Sequence, residues 1–527
     1  MGAMRRPLRI YLGVIVVLAV AAAAAFAVVS GSAKAAAPAP TARWVAGDVH
    51  SHTWLSDGEE TQAAVLEHAL SQFGLDWLGT ADHGAPSLYD PLGKRLRGMN
   101  PDWYVTKASI DGWLSLKDLE WPLLEELRPS YPDKIIVEGV EWCAPVTKGE
   151  WYAEAKTAII EDMPISLSYF VYKFDRYSYD ISRAALGVTK QNQGPAGYVT
   201  AATFLKNTYP DSAYSVISHP SRELRWPIAT IRAFNNAAPA VCFGMAAIPG
   251  GQKASPRGWY SSFLDSRSRL VDGPSQADWS VTKLARTYGG ADLCAAQVGG
   301  VWDALLGEGR RFWVFGDSDS HNPKGELWPG EYTQDHTWAP ELTEQGIVDG
   351  LRAGKSFTAM GGLIDELDLV AASGGAEAEM GDTLSTPSGS SVTITIHFRS
   401  PATNYHGVAP VVNHVDLIAG DVTGMIAPSS PAFKTNKTNP STHVVERFTS
   451  ADWTADGKGY NVITTTVDDV TGDMYFRLRG SNLGVGVKNQ TNADGDPLID
   501  MKMGKNTPAK AWADLWFYSN PIFVDVP

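Results

Sequence analysis

The chain has 527 residues and a formal net charge of −14, with charged residues at 19% and Trp, Tyr and Phe together at 10%. That length is enough for two or three domains, and the composition suits a well-buried globule and argues against a disordered chain. An acidic chain with no basic cluster argues against a long nucleic-acid groove, but leaves room for a small anionic substrate held by metal ions.

In chain order, Arg5, Arg6 and Arg9 precede "IYLGVIVVLAVAAAAAFAVV" and the small residues "SGSAKAAAPAPT". Residues 1–36 therefore read as a secretory signal peptide with an A-x-A-like cleavage site near Ala33 to Ala35. The competing reading is an uncleaved membrane anchor, since twenty apolar residues can span a bilayer. On either reading the folded part is expected outside the cytoplasm, and losing Arg5, Arg6, Arg9 and Lys34 takes the net charge to −18. Cys143, Cys242 and Cys294 show no C-x-x-C spacing and read as buried small apolar residues.

"RWVAGDVH" reads as a strand, and "ETQAAVLEHALSQFG" as a helix with Val65, Leu66, Ala69, Leu70 and Phe73 on one face. "LDWLGTAD" and "KIIVEGVEW" are strands, and Tyr152 to Asn192 reads as an irregular aromatic insertion, a wall or lid. The helix "GYVTAATFLKNTYP" leads into the strand "AYSVISHP", and "PAVCFGMA" follows. "QADWSVTKLARTYGG" and "GVWDALLGEGRR" are helical, "FWVFGDSDSH" is a strand, "ELTEQGIVDGLRAGK" is helical and "SFTAMGG" extended. Repeated strand–helix units predict a parallel, closed β/α architecture over residues 42–370. "LVAASGGAEAEMGDTLSTPSGSS" reads as a linker, and residues 380–527 as a small all-β, sandwich-like domain. In that domain Trp512, Trp516, Phe517 and Tyr518 are expected as core or interface aromatics.

The chemistry gathers at strand ends. In "WVAGDVHSHTWLSDGEE", His50 and His52 stand two apart, so on a strand both imidazoles face one side, and Asp57 follows. "GTADHG" places Asp82 and His83 after the second strand, "EGVEW" places Glu141 at the third, and "SVISHP" ends in His219. "VFGDSDSH" carries Asp317, Asp319 and His321. Singly, each has a structural explanation: a turn hydrogen bond for Asp82, an arginine partner for Glu141, loop caps for Asp317 and Asp319. Jointly they fit a barrel whose strands converge at their carboxyl ends.

As a set, "HSH" with "SDG" behind it, "ADH", "GVE", "SHP" and "DSH" resemble, in order, the PHP (polymerase and histidinol phosphatase) metal-dependent phosphoesterases. The resemblance spans about Val45 to Gly362 and implies a distorted seven-stranded β/α barrel with two or three divalent metal ions. Carried over by position, it implies that His50, His52, Glu141 and Asp319 hold one ion. Glu141 would bridge to a second that His219 also binds, and Asp57, His83 and His321 would hold a third. Family members often carry a further histidine between the glutamate and the "SHP" motif; none lies between Glu141 and His219 here, and Glu150 or Glu154 is the expected substitute.

Mixed nitrogen and oxygen ligands tolerate Zn, Mn or Fe. The reaction implied is hydrolysis of a phosphate mono- or diester by a metal-activated water, with Glu141 in the catalytic centre. Arg222 and Arg225 follow His219 closely and either clamp the phosphate or form surface ion pairs; Lys355 is a weaker candidate for that clamp. The alternatives are a metal-dependent hydrolase of a C–N or C–O bond, and a metal-retaining binding protein without turnover.

Overall fold

The computed structural model describes residues 42–83, 112–145, 152–175, 197–222, 226–250, 287–321, 327–500 and 508–527, all within one compact unit, Pro40–Pro527. Three parallel strands open it: β1 (Arg43–Ser51), β2 (Trp77–Thr80) and β3 (Ile135–Val137). From Gly47 to Ser51 every residue of β1 is buried, as expected of a strand covered on both faces. Between β1 and β2, residues Gln62–Leu66 form an α-helix that widens into a π turn over Glu67–Gln72. Thr61 caps it, its side chain accepting a bond from the Ala64 amide. The apolar face read from the sequence is the buried one: Val65, Leu66, Ala69 and Leu70 pack with Leu75, Leu78, Leu124 and Ile136.

A second sheet runs β4 (Gly139–Pro145), β5 (Tyr152–Ile159), β6 (Ala213–Ile217), β7 (Gly244–Ile248) and β8 (Trp313–Gly316) in that order. β5 is antiparallel to both neighbours, whereas β6, β7 and β8 are parallel. The expectation of an irregular insertion from Tyr152 to Asn192 is therefore corrected over its first part. Residues Tyr152–Ile159 are a ladder-bonded strand and Ile165–Phe174 a helix, whose Leu167, Phe170, Val171 and Phe174 are buried. The aromatic richness serves this packing, as where Phe170 meets Trp142 edge-on; residues 176–192 lie outside the described residues.

The ladders leave these as separate sheets, but two isolated parallel bridges join them, Ser51 with Ser320 and His83 with Glu141. Both bridges fall among the residues that the sequence singles out.

Downstream, strands are the main elements: β9 (Thr333–Ala339), then, after the helix Glu344–Ala353, β10 (Ser356–Met360), β11 (Glu366–Ser373), β12 (Ala376–Glu379), β13 (Thr383–Ser385) and β14 (Ser390–Arg399). There follow β15 (His414–Asp421), β16 (His443–Thr449), β17 (Thr454–Ala455), β18 (Asn461–Val470), β19 (Met474–Ser481), β20 (Trp516–Ser519) and β21 (Ile522–Asp525). The expected linker is folded as β11 to β13. Leu367, Leu369 and Ala371 alternate inward along β11, and Gly374 and Gly375, at φ 59° and 88°, turn the chain into β12. The Gly and Ala richness reflects that tight hairpin, not a spacer.

One eleven-stranded sheet continues from β3, β2 and β1 through β9 and β10 into β20, β19 and β21. Trp512, Trp516, Phe517 and Tyr518 are buried as expected, and β20 is hydrogen-bonded between β10 and β19. A buried ion pair fastens the same seam: Arg477 on β19 grips Asp303 of the helix Val301–Leu306 with two bonds, 2.8 and 2.7 Å, while the Tyr475 hydroxyl donates to Asp303 at 2.9 Å. Cys143, Cys242 and Cys294 are buried and unbridged. Among the described residues no helix is long and apolar enough to cross a membrane, and residues 1–36 lie outside them.

Two outcomes check this packing. Asp303→Ala leaves the Arg477 guanidinium buried without its carboxylate and should lower stability by about 3–5 kcal/mol, read from urea unfolding. A chain ended after Gly374 strips β10 of β20 and should be insoluble; a soluble, cooperatively melting product would contradict the shared sheet.

Candidate metal centre

β1 delivers His50 as its penultimate residue, and His52 lies just beyond its end. Their Nε2 atoms are 2.8 Å apart and face the same two carboxylates. Glu141 Oε2 is 3.3 Å from His50 Nε2 and 3.4 Å from His52 Nε2; Asp319 Oδ1 is 3.3 and 3.2 Å away. The other carboxylate oxygen of Glu141, Oε1, lies 3.4 Å from His219 Nε2, which is 3.3 Å from Glu154 Oε2. On the far side of His52, Asp57 meets His321 at 3.3 Å, His83 at 3.5 Å and His52 Nδ1 at 3.5 Å. Three groups result: His50, His52, Glu141 and Asp319; Glu141, Glu154 and His219; His52, Asp57, His83 and His321. Within each, one ligand atom per residue lies within 4.8 Å of the others. Glu141 belongs to two groups and His52 to two, so the groups adjoin.

Backbone bonds hold these turns together. The Asp319 amide donates to His50 O and the His52 amide to Ser320 O, each at 3.1 Å, while the Glu141 amide donates to Ala81 O at 3.1 Å. His219 and Asp319 adopt left-handed backbone, φ 27° and 43°, which non-glycine residues rarely hold. Strain of this kind persists where surrounding structure over-determines it, and it clusters at functional sites.

All eight residues expected as metal ligands (His50, His52, Asp57, His83, Glu141, His219, Asp319 and His321) fall in these groups. Glu154, one of the two glutamates expected near His219, groups with Glu141 and His219; β5 explains how, because Glu154 sits opposite Cys143 and points to the same face as Glu141. Glu150 lies outside the described residues, as does Arg225. Arg222 is present at the rim, its Nη1 3.2 Å from His219 Nε2. Lys355 pairs with Glu379 and lies over the Trp338 ring, partners outside the donor groups. Asp82 is a framework residue: it accepts bonds from the Thr53 amide at 2.8 Å, the Thr53 hydroxyl and the Ser56 hydroxyl, shaping the loop that carries Asp57. Asp317 faces the back of His50 and pairs with Lys156, a buried lysine that the sequence reading did not single out.

The charges are far from balanced. Burial pushes the His50 imidazole down, but Glu141 and Asp319 outweigh it and raise its pKa to about 10. Burial likewise opposes ionisation of Asp57, yet His321 and His83 hold its carboxyl well below the usual range. The same contest, won by His50, keeps Glu141 low. Among the described residues, Glu141 Oε1 and Asp319 Oδ1 are buried and find no hydrogen-bond partner. Convergent imidazole nitrogens and unpartnered carboxylate oxygens fit a divalent cation, which would satisfy lone pairs that no donor reaches.

No family model matches the chain, and no curated protein matches it. Among solved structures, one from Bifidobacterium adolescentis, described as a "putative metal-dependent phosphoesterase", is similar over 38% of this chain and 76% of its own, at 16% identity and a TM-score of 0.20. With so slight a likeness, the site stands on its own donor set.

Without metal, a histidine with raised pKa contributes stability that is complete below its unfolded value near 6.5 and is lost as pH climbs toward about 10. Chelator-treated protein should therefore lose urea resistance steadily from pH 6.5 to 10, and divalent metal should remove that decline. His52→Ala takes a donor from two groups and should weaken metal binding by more than the ~10–100-fold typical of losing an outer partner, measured by calorimetric titration.

Proposed function

We propose that this chain is a secreted, metal-dependent phosphoesterase of the PHP type, hydrolysing a small anionic phosphate mono- or diester. The observation that supports it is the sharing of Glu141 and His52 among three adjoining donor groups at one mouth of the strands. We read β1, β2 and β4 to β8 as a distorted seven-stranded barrel, a reading supported by the isolated Ser51–Ser320 and His83–Glu141 bridges between the two sheets.

His50, His52, Glu141 and Asp319 would hold one ion, Glu141, Glu154 and His219 a second, and His52 or Asp57 with His83 and His321 a third. Divalent ions bound at these groups would supply charge to phosphoryl oxygens and favour ionisation of an attacking water. The protein's own part is to hold the donors rigid and keep solvent from them. Glu141 is 2% exposed and His52 1%, so both are enclosed by packing, whereas Asp57 and His321 are more open and mark the side where a substrate would enter. Arg222, whose Nη1 lies 3.2 Å from His219 Nε2, would grip the phosphoryl group with its planar guanidinium.

Protein stripped with chelator and reloaded with Mn or Zn should cleave phosphate esters across a broad panel and leave amides and carboxylic esters intact. Arg222→Ala should raise KM more than it lowers kcat, and Glu154→Gln should cost on the order of 100-fold in kcat/KM. Turnover of amides alone, or of nothing in any metal-loaded form, would overturn the assignment.

A further inference from the structure

Beneath the donor groups lies a second layer of charge. Lys156 is 1% exposed, and its ammonium pairs with Asp317, itself 1% exposed. Asp317 Oδ2 is also 3.6 Å from His50 Nδ1, an ion-pair distance and not a hydrogen bond. That nitrogen is buried and finds no hydrogen-bond partner among the described residues, where Asp317 is the carboxylate that faces it. The opposite ring nitrogen, Nε2, is the one turned to Glu141 and Asp319. Two further buried carboxyls stand close by. Asp48 accepts from the His50 amide at 2.9 Å and the Ser318 amide at 3.1 Å; Asp335 accepts from the Gly316 amide at 2.7 Å.

The strand pairing explains how a lysine reaches this place. On the antiparallel β4–β5 ladder Lys156 stands directly opposite Glu141, so both side chains project from one face of the sheet. Glu154, two residues earlier on β5, shares that face. One strand thus brings a donor for the second group and, one step deeper, a cation beneath the first.

We propose that Lys156 is a positioning residue for the metal centre, acting through Asp317 on His50. The inference rests on the metal-centre reading. The ammonium holds Asp317 at the back of the imidazole, and a carboxylate 3.6 Å from Nδ1 orients the ring with Nε2 turned toward Glu141 and Asp319. An uncompensated carboxylate would be costly at that depth, and Lys156 is the cation paired with it.

The test is calorimetric titration of chelator-stripped full-length protein with Mn²⁺ and, separately, Zn²⁺, with the apo fold checked by circular dichroism. Lys156→Met and Asp317→Asn should each weaken binding by about 10–100-fold, and Lys156→Arg should restore most of it. The double variant, which removes both charges together and avoids leaving one of them buried alone, should bind no more weakly than Asp317→Asn. Should Lys156→Met fail to fold, that comparison decides. A lower melting temperature with unchanged metal affinity would make Lys156 a purely structural residue and overturn the proposal. A further tenfold loss on adding Lys156→Met to Asp317→Asn would overturn it too, because the lysine would then act by another route. Wild-type protein that binds neither ion would instead sink the metal-centre reading, a result distinguishable from both.

Discussion

An ionised carboxylate taken out of water costs several kcal/mol unless something positive or hydrogen-bonding meets each oxygen. Glu141 is such a group: 2% exposed, with Oε2 before His50 and His52, and Oε1 before His219 and unpartnered by any hydrogen. The surroundings read as a response to that one side chain. Four imidazoles, those of His50, His52, His83 and His219, converge on it, Glu154 and Asp319 stand beside it, and the turns that supply them are stitched together by backbone bonds. Left-handed backbone at His219 and Asp319 is the conformational cost of aiming two ligands from strand ends at one point.

The strand arrangement makes this possible. β1 is flanked by β2 along its later part and by β9 along Arg43–Gly47, and its end reaches across to Ser320. The strand that brings His50 is therefore held on both edges before it releases the ligands. β9 is in turn paired with β10, and β10 with β20 from the last stretch of the chain. The C-terminal strands contribute no donor to the centre, yet they are continuous with the sheet that carries its first two histidines.

Much of this was legible in the sequence because the donors are single residues at strand ends, and a strand's alternation says which way each faces. His50 and His52 could be paired by spacing alone, and the helix face of Val65, Leu66, Ala69 and Leu70 by its period. Glu154 was legible only as one of two candidates, because its role depends on β5 running antiparallel between β4 and β6, a register set by tertiary pairing. Lys156 was invisible for the same reason: a lone lysine in "YAEAKTAI" carries no sign that it will be buried opposite Glu141. The stretch after β11 misled in the other direction, since glycine and alanine mark a close hairpin as readily as a spacer.

The most direct measurement is anomalous X-ray scattering from crystals grown with Mn²⁺ or Zn²⁺, collected on both sides of the metal's absorption edge. The account predicts adjoining peaks, one among His50, His52, Glu141 and Asp319 and another beside Glu154 and His219. Peaks elsewhere in the molecule, or none at saturating metal with these side chains in place, would contradict it.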